Sequence, residues 1–144
     1  MRIVPALIFM LAVACGREGA ADAVPGVRLG MSPRDVRDRF DGAGEGTWQT
    51  KVGGGAGSSD DTVLEWSAAA PTSRATHARF EFHLGMLVGV RVHLREAAAS
   101  ERVDLTPKTV TVRTPAGGGT EVTILARDCP THHEEAESLA SRAR

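Results

Sequence analysis

From residue 46 to residue 127, apolar and polar positions alternate in short runs separated by Gly, Ser and Pro. Trp48, Thr50 and Val52 alternate with Gln49 and Lys51, predicting a strand near 46–52, and Leu64 and Trp66 alternate with Val63 and Glu65 in a second. Phe80, Phe82 and Leu84 share one face of a third strand; Val88, Val90, Val92 and Leu94 form the matching face of a fourth. For these faces to coincide, Leu84 must oppose Val88 across a three-residue loop, Gly85-Met86-Leu87, because a two-residue loop would turn one apolar set to solvent. That register sets Glu81 opposite Arg91. In a second hairpin, Val110 and Val112 lie against Val122, Ile124 and Ala126 across a loop of residues 114–120, with Arg113 opposite Glu121. Residues 95–107, polar and Pro-ended, read as a surface loop or short helical turn, and the Gly/Ser-rich stretch 53–61 as a flexible connector.

The period changes to helical at both ends of this strand-rich region. Ser32 is placed to cap a helix with Pro33 at its first position, Asp35 completes a capping box, and Met31 and Val36 have the spacing of a hydrophobic staple. Val36 and Phe40 fall on one face, and Gly42 and Gly44 end the element. Near the C-terminus, Thr131 is the expected N-cap with Glu134 as its partner, followed by an apolar stripe of Ala136, Leu139, Ala140 and Ala143. These elements assemble into an α+β two-layer sandwich. Its antiparallel sheet has five or six strands with one wet face, and both helices cover the other face.

The chain has 144 residues, which allows one domain, expected over 26–144. Seventeen basic and 18 acidic side chains give a net charge of −1, and the charges are not clustered as a nucleic-acid footprint requires.

The first residues form a leader. Arg2 supplies a positive start, Ile3–Ala14 is apolar and too short to span a bilayer, and small residues precede Cys15. Cleavage before Cys15 or, after Ala-Asp-Ala, before Val24 would satisfy the ordinary small-x-small rule. The stretch Ala-Val-Ala-Cys also resembles the lipobox of bacterial lipoproteins. That resemblance implies a signal peptide over 1–14, a lipidated Cys15, a flexible tether over 15–25 and, from Gly16, an outer-membrane destination. A lipidated Cys15 leaves Cys129 without a partner inside the chain, so Cys129 reads as a small, half-buried hydrophobe.

Leu29, Gly30, Met31, Ser32, Asp35 and Val36 resemble the opening helix motif of BamE-like (SmpA/OmlA) outer-membrane lipoproteins and of the wider β-lactamase-inhibitor-like group of exported proteins. The run from Ala78 to Val92 is similar in kind to the hairpin that follows that helix. The resemblance implies the α+β architecture and a place in the envelope. BamE-like proteins carry two helices before a three-stranded sheet, whereas here one helix precedes the strands and one follows.

Candidate chemistry is sparse. Asp128, Cys129, His132, His133 and Glu134 form the one cluster of ligand-type residues, and zinc or copper could use Cys129 with His132 or His133. The spacing matches no closed structural site, and adjacent histidines on a helix diverge by about 100°, so a plain helix start is the favoured reading. His77, His83 and His93 fall on polar positions of the central hairpin and read as solvated surface. No G-x-S-x-G, H-E-x-x-H or phosphate-binding loop occurs, and Tyr is absent. The expectation is a non-enzymatic, cofactor-free module, anchored to the outer membrane through Cys15, that binds another envelope protein through the wet sheet face or the sheet edges. The alternatives are an envelope metal- or redox-responsive protein using Cys129, His132 and His133, and a secreted inhibitor-like binder. No nucleic acid or small-molecule substrate is implied.

Overall fold

In the computed structural model, residues 24–40, 44–52 and 61–143 are described. The expected leader, Cys15, residues 16–23 of the tether, Gly42 and residues 53–60 of the connector lie outside the described residues.

Local chemistry sets the first element as expected. Helix α1 spans Pro33–Arg39. The Ser32 hydroxyl accepts from the Asp35 backbone N–H at 3.2 Å, and the Asp35 carboxylate accepts from the Ser32 N–H at 3.4 Å. Val36 is fully buried, and Phe40 meets Trp48, Trp66 and Phe80 edge-on at centroid distances of 6.0, 5.2 and 5.1 Å. A seven-residue helix is unstable alone; this aromatic cluster holds it to the sheet.

The sheet has seven strands: β1 (Gly46–Val52), β2 (Asp61–Ala68), β3 (Ala75–His83), β4 (Met86–Leu94), β5 (Arg102–Leu105), β6 (Thr109–Ala116) and β7 (Gly119–Ala126). They lie in the order β1-β2-β3-β4-β7-β6-β5, every pair antiparallel. The chain meanders through four strands, crosses to the far edge and meanders back until β7 pairs with β4. Helix α2 (His133–Ala140) and a 3-10 turn (Ser141–Ala143) follow.

This corrects the expected α+β two-layer sandwich in three respects. The fold is mostly β, with seven strands instead of five or six and two short helices among the described residues. The additional strand, β5, arises in the polar segment expected to be loop, where Val103 pairs with Val112 and Leu105 with Val110. As a four-residue edge strand it needs little apolar character.

The third correction concerns the helices, which lie on opposite faces. Val24, Val27 and Val36 pack with Leu64, Trp66, Phe80, Phe82, Leu87, Val90, Val92, Val122 and Ile124 on the first face. On the second, Ala136 and Leu139 of α2 pack with Val103, Val110, Val112 and Leu125. Hairpin geometry is the cause. Gly117 and Gly118 both adopt positive φ (55° and 80°), closing a two-residue turn between Ala116 and Gly119. Arg113 then opposes Val122 instead of Glu121, and Val110 opposes Leu125. The one-residue difference in register turns Val110 and Val112 to the second face, and α2 covers them there.

The central hairpin also departs from expectation. Its turn is the two-residue Leu84-Gly85, both at positive φ (51° and 75°), so His83 pairs with Met86 and Phe82 with Leu87. A bulge at Val88 absorbs one residue, after which Glu81 pairs with Gly89, Phe80 with Val90 and Arg79 with Arg91. The apolar faces coincide through this bulge, without a three-residue loop.

Candidate functional site

Helix α2 covers only the β5–β6–β7 half of the second face. The β1–β4 half carries a ladder of alternating charges. Lys51 Nζ lies 2.6 Å from Glu65, Arg79 Nη1 bonds Glu65 at 3.1 Å, and Arg79 Nε bonds Glu81 at 2.7 Å. Glu81 Oε2 then pairs with His132 Nε2, on the residue preceding α2. Beside the ladder, His83 Nδ1 and Asp61 Oδ1 are 2.7 Å apart. Arg79, Glu81, His132, His83 and Asp61, with Val63, Val88 and Thr131, line a shallow cleft of about 180 Å³.

His132 reaches the sheet for two local reasons. Its N–H donates to the Cys129 carbonyl at 3.1 Å, closing a turn through Pro130 and Thr131, so α2 starts at His133 and Thr131 is not the N-cap. Opposite Glu81 stands Gly89. A Cβ there would lie 3.2 Å from both Glu81 Oε2 and His132 Nε2, so glycine leaves the space in which the pair forms.

The side chains of His132 and Glu81 are 9% and 17% exposed. The hydrogen bond to Glu81 raises the His132 imidazole to about 9 against the opposing effect of burial, and the Cys129 thiol adds to the rise. Reciprocally, the His132 bond and then Arg79 lower Glu81 to about 2 despite burial. Burial pushes the Cys129 thiol up; interactions with the His132 ring and with Thr131 outweigh it and leave the thiol below its ordinary value. His132 Nδ1 is buried and completes no hydrogen bond of good geometry.

Thiol, imidazolium and carboxylate thus stand in sequence, with Cys129 only 5% exposed. The cluster acts as a clamp between α2 and the sheet.

Of the expected metal ligands, the fold brings together Cys129 and His132. His133 turns away, with Nδ1 2.8 Å from the Arg127 carbonyl oxygen. Among the described residues, no group of three or more His, Cys, Asp or Glu side chains is placed to hold a metal ion. His77 and His93 stack at 5.4 Å with planes 4° apart, whereas His83 lies at the other end of β3 with Asp61. The three histidines therefore do not converge. Arg91, expected opposite Glu81, pairs with Glu135 of α2, 2.8 Å from each carboxylate oxygen. The Glu81–His132 pair spans 51 positions, and no local pattern announces it.

The chain matches no family model, and neither a curated protein nor a solved structure matches it.

Proposed function

We propose that the chain is an exported, non-catalytic binding module, held at a membrane by a lipid on Cys15, whose open half-face on β1–β4 receives another envelope protein. The observation that carries this reading is the uneven cover of the second face. The helix buries the apolar half, while the other half keeps Lys51, Glu65 and Arg79 in a linked row that ends on the largely buried Glu81, beside an open cleft. Because Lys51, Glu65, Arg79 and Glu81 already hold one another, little side-chain entropy remains to be lost on association. The opening of the sequence supports the address: an apolar run too short to span a bilayer ends directly at Cys15. Among the described residues, no helix is long and apolar enough to cross a membrane.

Two measurements test the reading. Wild-type protein is expected in the membrane fraction, and Cys15→Ser is expected to release or mislocalise it; soluble wild-type protein would overturn the anchor. Capture from solubilised envelopes is expected to retrieve one partner with wild-type protein and to lose it with Arg79→Glu, which breaks the ladder at its centre. Equal capture by both proteins would remove the half-face from consideration.

A further inference from the structure

We infer that the end of the sheet bearing Val52, Leu84 and Met86 docks onto the surface of an anionic lipid bilayer, a proposal that rests on the lipid anchor at Cys15. The four large apolar side chains left exposed among the described residues are Val52 (68%), Leu84 (62%), Met86 (53%) and Leu105 (44%). The topology brings all four to one end. Strands β1, β3, β7 and β5 run in the same direction and finish there, at Val52, His83, Ala126 and Leu105, and β4 starts there at Met86.

The hairpin tip is the most telling part. Leu84 occupies the first position of a two-residue turn with φ 51°, a left-handed conformation in which Asn, Asp or Gly is the usual choice. Leucine there is strained, and its side chain is left in water. Strain of this kind at an exposed residue points to a contact made outside the chain. The tip is also firmly based: Gly30 N–H donates to the Leu87 carbonyl, and Leu87 N–H donates to the Met31 carbonyl, each at 2.8 Å. The segment leading into α1 thus grips the root of the hairpin.

The arrangement selects a bilayer over a rigid partner. Val52 lies in the same cross-strand row as buried Phe82 and Leu87, while Met86 lies in the row of His83 and Asp61. The exposed groups therefore project from both sides of the sheet end and from its tip. A rigid surface would need a socket walled on several sides to meet them, whereas an acyl–headgroup boundary yields around each. Charge agrees with this choice. The chain's only lysines, Lys51 and Lys108, belong to this end, and Arg28 precedes the gripping segment; Lys51 is held by Glu65, so Lys108 and Arg28 are the basic groups drawn to anionic headgroups.

Tether length agrees as well. Nine residue steps separate Cys15 from Val24, at most about 30 Å of extended chain. Val24 is buried with Val36, and α1 is only about 10 Å long, so the anchor can reach the proposed docking end.

The test uses the lipidated chain in vesicles of phosphatidylethanolamine and phosphatidylglycerol. An environment-sensitive fluorophore is placed through Leu84→Cys or, as the far-end control, through Ala97→Cys; buried Cys129 is left unlabelled. The fluorophore at position 84 is expected to shift to the blue and brighten severalfold, while that at position 97 keeps its aqueous signal. Adding Val52→Asp and Met86→Asp is expected to abolish most of the shift, as is replacing phosphatidylglycerol with phosphatidylcholine. Should position 84 stay as aqueous as position 97 while the protein pellets with the vesicles, docking is overturned and anchoring stands. Crosslinking from position 84 to a protein, with no lipid response, also overturns it. Membrane fractionation unaffected by Cys15→Ser would remove the anchor instead, and the fluorophore's response to added vesicles would then decide docking by itself.

Discussion

The Glu81 carboxylate on β3 and the His132 imidazole, 51 positions apart, share an ionic hydrogen bond that ties the start of α2 to the sheet. His132 has this one hydrogen-bond partner for its ring, while Glu81 also holds Arg79 at 2.7 Å. Glu81→Gln should therefore do more than weaken a contact. It removes the largest cause of the raised imidazole and leaves burial opposed only by the Cys129 thiol, so the His132 pKa is expected to fall from about 9 towards its ordinary 6.5. Loss of a largely buried pair by removal of one partner should cost about 2–4 kcal/mol. Urea denaturation reads the stability, and NMR titration of the His132 ring reads the protonation. An unchanged ring titration would separate the two residues.

The same pair sets a stability window in pH. The folded His132 pKa, near 9, is raised above 6.5, so its contribution is complete below pH 6.5 and is lost as pH rises towards 9. Folded Glu81 is lowered to about 2 from 4.5, so its contribution is complete above pH 4.5 and is lost as pH falls towards 2. Both flanks report one interaction, and their losses do not add. The wild-type urea midpoint is expected to be highest between about pH 4.5 and 6.5. The drop between pH 6.5 and 9 should shrink in His132→Leu. An identical alkaline drop in that variant would assign the loss to other groups.

Room for the pair depends on Gly89. An alanine Cβ would stand 3.2 Å from both charged partners and 3.3 Å from Leu125 Cδ2. Alanine asks for small adjustments, whereas the branched methyls of Gly89→Val must displace the imidazole. The valine variant is expected to lose about 1–3 kcal/mol by overpacking and to return the His132 ring to a lower pKa. Retention of the high pKa in a folded Gly89→Val protein would show that the space is not limiting.

These long-range dependencies explain what the sequence revealed and what it did not. The start of helix α1 was legible because Ser32, Pro33 and Asp35 determine it within four positions. Six of the seven strands were legible as alternation, whereas β5, in a polar segment read as loop, was not, and neither was the register of the two hairpins. A bulge at Val88 and the Gly117-Gly118 turn each alter pairing by a residue without altering which positions alternate. The second of these moved α2 to the other face, and with it the Cys129–His132 turn onto Glu81. Cys129 and His132 stood out as ligand-type residues; Glu81 did not, because its pairing emerges only when the far half of the chain folds back along β4.

Leu84 separates stability from docking. The left-handed conformation at φ 51° costs leucine more than asparagine, so Leu84→Asn is expected to stabilise the fold by about 0.5–1 kcal/mol. If the hairpin tip meets a bilayer, the same substitution should weaken that contact. With vesicles of phosphatidylethanolamine and phosphatidylglycerol, an Ala97→Cys label reads the first site away from the membrane and a Met86→Cys label the docking end. The signal at Met86→Cys should become more aqueous in the Leu84→Asn background as the urea midpoint rises. A rise in both stability and lipid response would show that the tip's strain serves no contact. A fall in stability would mean that Leu84 packs against the fold in solution, contrary to its 62% exposure.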